Sequence, residues 1–311
     1  MMPVETLRTL FTDTGGGAAI VGRALALAAS AGVIGACLFQ RAVVGPLGRT
    51  GSVTGNVERL VAGVGLAAAM LLALTVPWRV VTQAEVFSSG GDPLMPLVGR
   101  VLQTGWGRAA VAQFAGAVLA ASGFARARNV RRWGWTVAAS GAAVVAAVPA
   151  WMGHAAATER WTWLAIGADV AHVGAAGGWA GGVAVLALVA RAMAKQADGG
   201  ALTSRLIAAF RVLALTSATV LLATGAVGAL LRLRSPMDLV GTTYGLLFLL
   251  KLAIVGVAAA MGRQHSRTAA ARATTLGARA VSRSIAVEAL VLLTVIAVTA
   301  ILAGSPPPGS G

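Results

Sequence analysis

Eight apolar runs dominate this chain, each near the roughly 20 residues a helix needs to cross a hydrocarbon core. They cover 18–39, 60–81, 109–125, 133–152, 162–190, 209–231, 242–262 and 283–303. Backbone amides in lipid have no water to bond, so each run must satisfy its own hydrogen bonds as a helix. The sequence predicts an all-α polytopic membrane protein of about eight transmembrane helices, one transmembrane domain over 1–311. The third run is short and carries Gln113; the fifth is long enough to tilt or to extend beyond the bilayer.

Composition narrows the class. Hydrophobic residues make up 57% of the chain and charged residues 11%, with a mean hydropathy of +0.80. The net charge of +15 does not point to nucleic acid. Of 25 basic residues only Lys195 and Lys251 are lysine, and most of the arginines sit in short loops between the runs. No soluble basic domain or aromatic platform accompanies them. Cys37 is the single cysteine, which leaves no intramolecular disulfide or CxxC site; it reads as a small buried hydrophobe. Glu5, Arg8 and Asp13 replace the basic start of a signal peptide, so no cleavable leader is expected.

Between the second and third runs, 82–107 contains Gly90, Gly91, Pro93 and Pro96 and is too polar to span. It reads as an outer interfacial loop, with a short helix or a lid over the outer face. The tail 304–311, SPPPGSG after Gly304, reads as disordered. The loops after runs one, three, five and seven carry three, four, three and five Lys or Arg, fifteen in all. The opposite side carries seven, among them Arg79, Arg160 and Arg232. The positive-inside rule then puts both termini outside. It also puts Trp78, Trp106, Trp151, Trp161 and Trp163 in an outer aromatic belt.

The chemistry concentrates in 151–182. Met152 and His154 stand at the outer mouth; Asp169 and His172 follow at i and i+3 on one helix face. At 1.5 Å per residue the latter pair lies roughly 10–15 Å below the surface. Ionisable residues that deep face the protein interior and mark a pathway. Imidazole and thioether suit copper, and Asp169 could ligate or orient the His172 ring. Against this, a lone loop histidine is ordinarily solvated, and His172 bonded to Asp169 could simply lock two helices together. Three further intramembrane charges are Lys251, Glu288 and Arg211; either Asp169 or Glu288 could partner Lys251, and Arg211 can snorkel to the interface. His265, between Arg263 and Arg267, reads as part of a solvated basic loop.

These residues also carry a resemblance. Gly153-His154-Ala155, Asp169-x-x-His172, Gly178-Trp179-x-Gly181-Gly182, Phe210 with Thr224-Gly225, Thr243-Tyr244-Gly245 with Lys251, and Arg283-Ser284 with Glu288 occur in order before Pro306. In these pieces, over about 130–308, the chain resembles the CopD family of bacterial copper-resistance membrane proteins. It departs from the family at Gly262-Arg263-Gln264, where Asn would be expected in place of Gln264, and in lacking Met-rich or His-rich outer loops. The resemblance implies a multi-pass inner-membrane protein that moves copper, as Cu(I) or Cu(II), from periplasm to cytoplasm. The copper site would be Met152, His154, Asp169 and His172, with Tyr244, Lys251 and Glu288 along the path. It also implies a separate periplasmic CopC-like copper-binding partner, since no such domain is present in this sequence. No P-loop is found, and a transporter rather than an enzyme is expected. Two other readings fit the same residues: a haem-binding membrane redox protein using His154 and His172, and a copper sensor or assembly partner that binds without transporting.

Overall fold

A computed structural model describes residues 16–51, 55–88, 93–129, 132–152, 161–194, 196, 198–233, 235–275, 277–305 and 308. Among the described residues there is no strand. Eight helices are long and apolar enough to cross a membrane. They are α1 (Gly16–Arg49), α2 (Gly55–Val86), α4 (Gly105–Arg128), α5 (Trp133–Met152), α6 (Thr162–Met193), α7 (Gly199–Arg232), α9 (Thr243–Thr275) and α10 (Gly277–Leu302). Two short helices, α3 (Leu94–Gln103) and α8 (Asp238–Gly241), lie between spans. Each apolar run predicted above falls on one of the eight spans.

The third span is a full 24 residues, and its Gln113 is buried rather than a sign of weakness. Within 82–107, α2 runs on to Val86 and the amphipathic α3 follows, with Leu97 and Val101 buried. Thr104 joins α3 to α4: its hydroxyl donates to the Val101 carbonyl at 2.6 Å and accepts from the Gly107 amide at 3.0 Å. Of the tail 304–311, residues 306, 307 and 309–311 lie outside the described residues.

Small residues set the packing. The helix α1 is central and lies against α2, α5, α6 and α10. In α6 the α-helix widens into one π-helical turn at Gly177–Gly181 and then resumes. That turn lies directly on α1. A side chain at Gly181 would collide with the Ala31 carbonyl, and one at Gly35 with the Gly181 backbone. The two helices therefore touch backbone to backbone, the contact small residues permit in membranes. Around it lies a core that includes Phe39, Phe124, Leu72 and Leu206, with Phe39 tilted against Phe210 at 5.8 Å and Phe124 edge-on to Trp135 at 5.8 Å.

The remaining spans are looser. In α7 and α9 many apolar side chains point outward, Leu215, Leu222, Leu230, Leu249 and Leu252 among them. Outward leucines on a spanning helix meet lipid, so their exposure is ordinary.

Two charges stand inside the tight part. Arg79, counted above as a loop residue, lies within α2, seven residues before its end. It donates to Gln113 Oε1 at 3.2 Å and stacks over Trp106 at 5.5 Å. Arg23 of α1 is its cationic neighbour and donates from Nε to the Ala300 carbonyl at 3.0 Å.

Candidate functional site

The first half of α6, the last turns of α7 and the first turns of α9 meet at one end of the bundle. Their caps fix the register. Trp161 precedes α6 with a left-handed φ of 65°, a strained setting for a bulky residue. Before α9, the Thr242 hydroxyl donates to the Asp238 carbonyl at 2.6 Å and accepts from the Gly245 amide at 3.0 Å. The closing residue of α7, Arg232, turns back along its own helix, because a side chain on Gly228 would lie 3.1 Å from its Nη1.

Six polar side chains gather here: Asp169 and His172 from α6, Thr224 and Arg232 from α7, Tyr244 and Lys251 from α9. His172 Nδ1 lies 2.9 Å from Thr224 Oγ1. The Thr224 hydroxyl donates its own proton to the Val220 carbonyl at 2.6 Å, as helical threonines do. It can therefore only accept from the ring, which places the proton on Nδ1 and leaves the Nε2 lone pair of neutral His172 open. Gly225 borders the ring at Cε1. Nothing in the sequence pairs His172 with Thr224, since they are 52 positions apart.

Asp169 and His172 both lie in the field of Lys251 and Arg232. Tyr244 hydrogen-bonds to Arg232, which ties the mouth of α9 to the end of α7. Of the two acids considered as partners of Lys251, Asp169 is the one acting on it. Among the described residues the two are electrostatic neighbours without a direct ion pair. The cluster thus carries two cations against one anion when His172 is neutral.

Met152 is half-buried against the core at the end of α5. His154 lies outside the described residues. Among the described residues no group of three or more His, Cys, Asp or Glu side chains converges as a metal cage. The donor set present for a copper ion is the open His172 Nε2 and the Asp169 carboxylate. One nitrogen and one carboxylate suit a borderline cation held briefly.

Glu288 belongs elsewhere. Its Oε2 lies 2.6 Å from His265 Nδ1, and His265 Nε2 lies 2.6 Å from Ser284 Oγ. His265, expected among solvated arginines, is instead buried, because α9 continues as helix past Gly262 and turns the ring toward α10. Its neighbours Arg263 and Arg267 stay exposed. The signal was available: His265 falls fourteen residues after Lys251, four turns on and nearly the same helix face.

Two family models match the chain. One, described as Copper resistance protein D, matches residues 204–302; the other, Copper resistance protein D-like, N-terminal domain, matches residues 11–164. The first covers Thr224, Arg232, Tyr244, Lys251, His265, Ser284 and Glu288, and the second covers Met152 and His154. Asp169 and His172 fall between them. The likeness expected over about 130–308 therefore extends further toward the N-terminus and leaves most of α6 unmatched. No curated protein and no solved structure matches the chain.

Proposed function

This chain belongs to the copper resistance protein D family, and we propose that it carries copper ions across the bacterial inner membrane, from periplasm to cytoplasm. It is a multi-pass membrane protein related to copper resistance, and lipid is its surroundings. The observation that carries the transport reading is His172. Thr224 holds its Nδ1–H, so His172 keeps an open Nε2, one turn along α6 from Asp169.

Copper is the cargo in this reading, not a resident cofactor. Met152 and His154 receive it at the tryptophan-rich mouth, from a separate CopC-like periplasmic protein, and pass it to His172 and Asp169. With no cargo present, Lys251 and Arg232 balance the Asp169 charge. An arriving cation competes with them for the carboxylate, and their repulsion keeps its stay short. Few ligands and adjacent cations favour passage over storage. The haem reading is less well supported: Glu288 and Ser284 take both ring nitrogens of His265, so of the described histidines His172 alone keeps an open nitrogen for an axial bond.

Initial Cu(I) uptake into proteoliposomes tests the reading. His172→Ala is expected to slow it at least about tenfold, the scale of losing a buried ligand. Uptake equal to the parent sinks the site. Orientation is tested separately in a Cys37→Ala background. An impermeant thiol reagent is expected to label a cysteine placed at Thr158 in intact cells and one placed at Thr274 only after lysis. The reverse order overturns the direction of entry.

A further inference from the structure

We propose that His265, Glu288 and Ser284 form a proton-carrying station at the arginine-rich end of α9 and α10, which gains and loses one proton as cargo passes. Its coupling to cargo rests on the transport reading above; its ability to hold a proton does not.

The geometry is that of a short hydrogen-bonded chain. The imidazole lies between a carboxylate oxygen and a hydroxyl, each 2.6 Å away, at the short end of hydrogen-bond distances. The side chains of His265 and Glu288 are 9% and 5% exposed. Ser284 and Glu288 are i and i+4 on α10, so one helix face presents both ends of the chain to one ring of α9. With the ring neutral, Nδ1–H donates to Glu288 and the Ser284 hydroxyl donates to Nε2. A proton added at Nε2 gives an imidazolium beside a carboxylate, and the Ser284 hydroxyl turns to accept from Nε2–H. Removing that proton restores the first state. Only an N–H bond is made or broken. Ser284 is half-buried and links the ring to the surface.

Among the described residues no other charge shares this pocket. On the same two helices Arg263, Arg267, Arg279 and Arg283 are exposed. On the helices packed against α10, so are Arg41 and Arg49 of α1, Arg191 of α6, and Arg205 and Arg211 of α7. The net charge of the buried pair is therefore set by its own proton, minus one or zero. A pair serving only to fasten two helices would gain little over apolar packing, because burying ions is costly.

Position ties the station to the path. Tyr244, Lys251, Ala258 and His265 recur every seven residues on α9, each 20° short of two full turns from the last. Ala258 is fully buried and His265 nearly so. One inward stripe therefore joins the His172 cluster to this pair, with Lys251 and His265 about 21 Å apart along the helix.

The test uses the full chain with ¹⁵N-labelled histidine, in liposomes. In the parent, the His265 ring nitrogens are expected to show both the one-proton and the two-proton state as the pH is changed. Glu288→Gln should diminish the two-proton state, which the carboxylate favours, and Glu288→Asp should restore most of it. A ring that holds one state throughout overturns the station and leaves a fixed fastening. In the second arm, Cu(I) uptake and internal pH are followed together. His265→Gln should cut proton movement per copper at least tenfold, with copper binding within twofold of the parent. Proton movement undiminished in His265→Gln overturns the coupling. If the parent takes up no copper, the transport reading fails, and the titration alone decides the station. Should His265→Gln not fold, Ser284→Ala replaces it: it keeps ring and carboxylate and should slow proton exchange at the ring several-fold, and an unchanged exchange rate counts against the station.

Discussion

The block formed by α1, α2, α4, α5 and the π-helical turn of α6, and the group formed by the first half of α6 with α7, α9 and α10, solve the same problem differently. In the block, helices meet through glycine and alanine until backbones touch, and a side chain at Gly123 would run into the Ala138 backbone. Its charges are held by neutral partners: Arg79 by Gln113 and Trp106, Arg23 by the Ala300 carbonyl. In the other group α7 and α9 bury few residues, several of their leucines face outward, and the contacts that matter are polar: His172 with Thr224, His265 with Glu288. Close packing supplies a rigid wall. Groups that exchange partners or protons are placed where helices touch at a few polar points, because a close-packed interior has no second arrangement to offer them.

Gly181→Val is expected to have the largest effect, since the new side chain drives into the Ala31 carbonyl. A loss of about 3 kcal/mol or more in folded stability in detergent is expected. Leu222→Ala on the outward face of α7, 65% exposed, should change it by less than about 0.5 kcal/mol. Comparable losses from the two substitutions would erase the distinction between the halves.

Thr224→Val keeps shape and removes the acceptor that fixes the His172 tautomer. Cu(I) affinity should fall about tenfold, as for other partners of metal-binding histidines, with stability little changed. Thr224→Ser should restore it. Affinity unchanged in the valine variant would mean that Thr224 does not orient the ring.

The smallest effect belongs to Asp169 and Lys251, neighbours without a direct ion pair. Asp169→Asn, Lys251→Met and the pair, compared in a double-mutant cycle of stability, should show coupling of about 1 kcal/mol. The double variant should be better folded than the worse single one, because a lone buried charge is stranded in the singles. Strict additivity would mean that the two do not sense one another.

Much of the architecture was legible because lipid leaves a chain so few options. A run of twenty apolar residues can only be a helix, so all eight spans could be read directly. What escaped was partnership across helices. Lys251 and Asp169 could be set at one depth by counting along their helices. Thr224 gave no sign, since a threonine in an apolar run bonds its own helix whether or not a histidine lies beside it. His265 was misread because its neighbours are arginines, and flanking charge says nothing about which way an intervening ring points. Arg79 was assigned to a loop although it falls within the second apolar run, where its position already implied burial.

The placement of α6 bears on how the gene for such a protein could be divided. The two matched regions, 11–164 and 204–302, suggest a join near residues 165–203, yet α6 fills that interval and is the most buried span. Its π-helical turn rests on α1, its later residues on α10, and its early residues on α7. Fragments separated before Thr162 would strip the first piece of the surface that α1 is shaped to meet. Fragments separated at 195–198 would each keep whole helices, and that is the position from which two co-expressed pieces should reassemble.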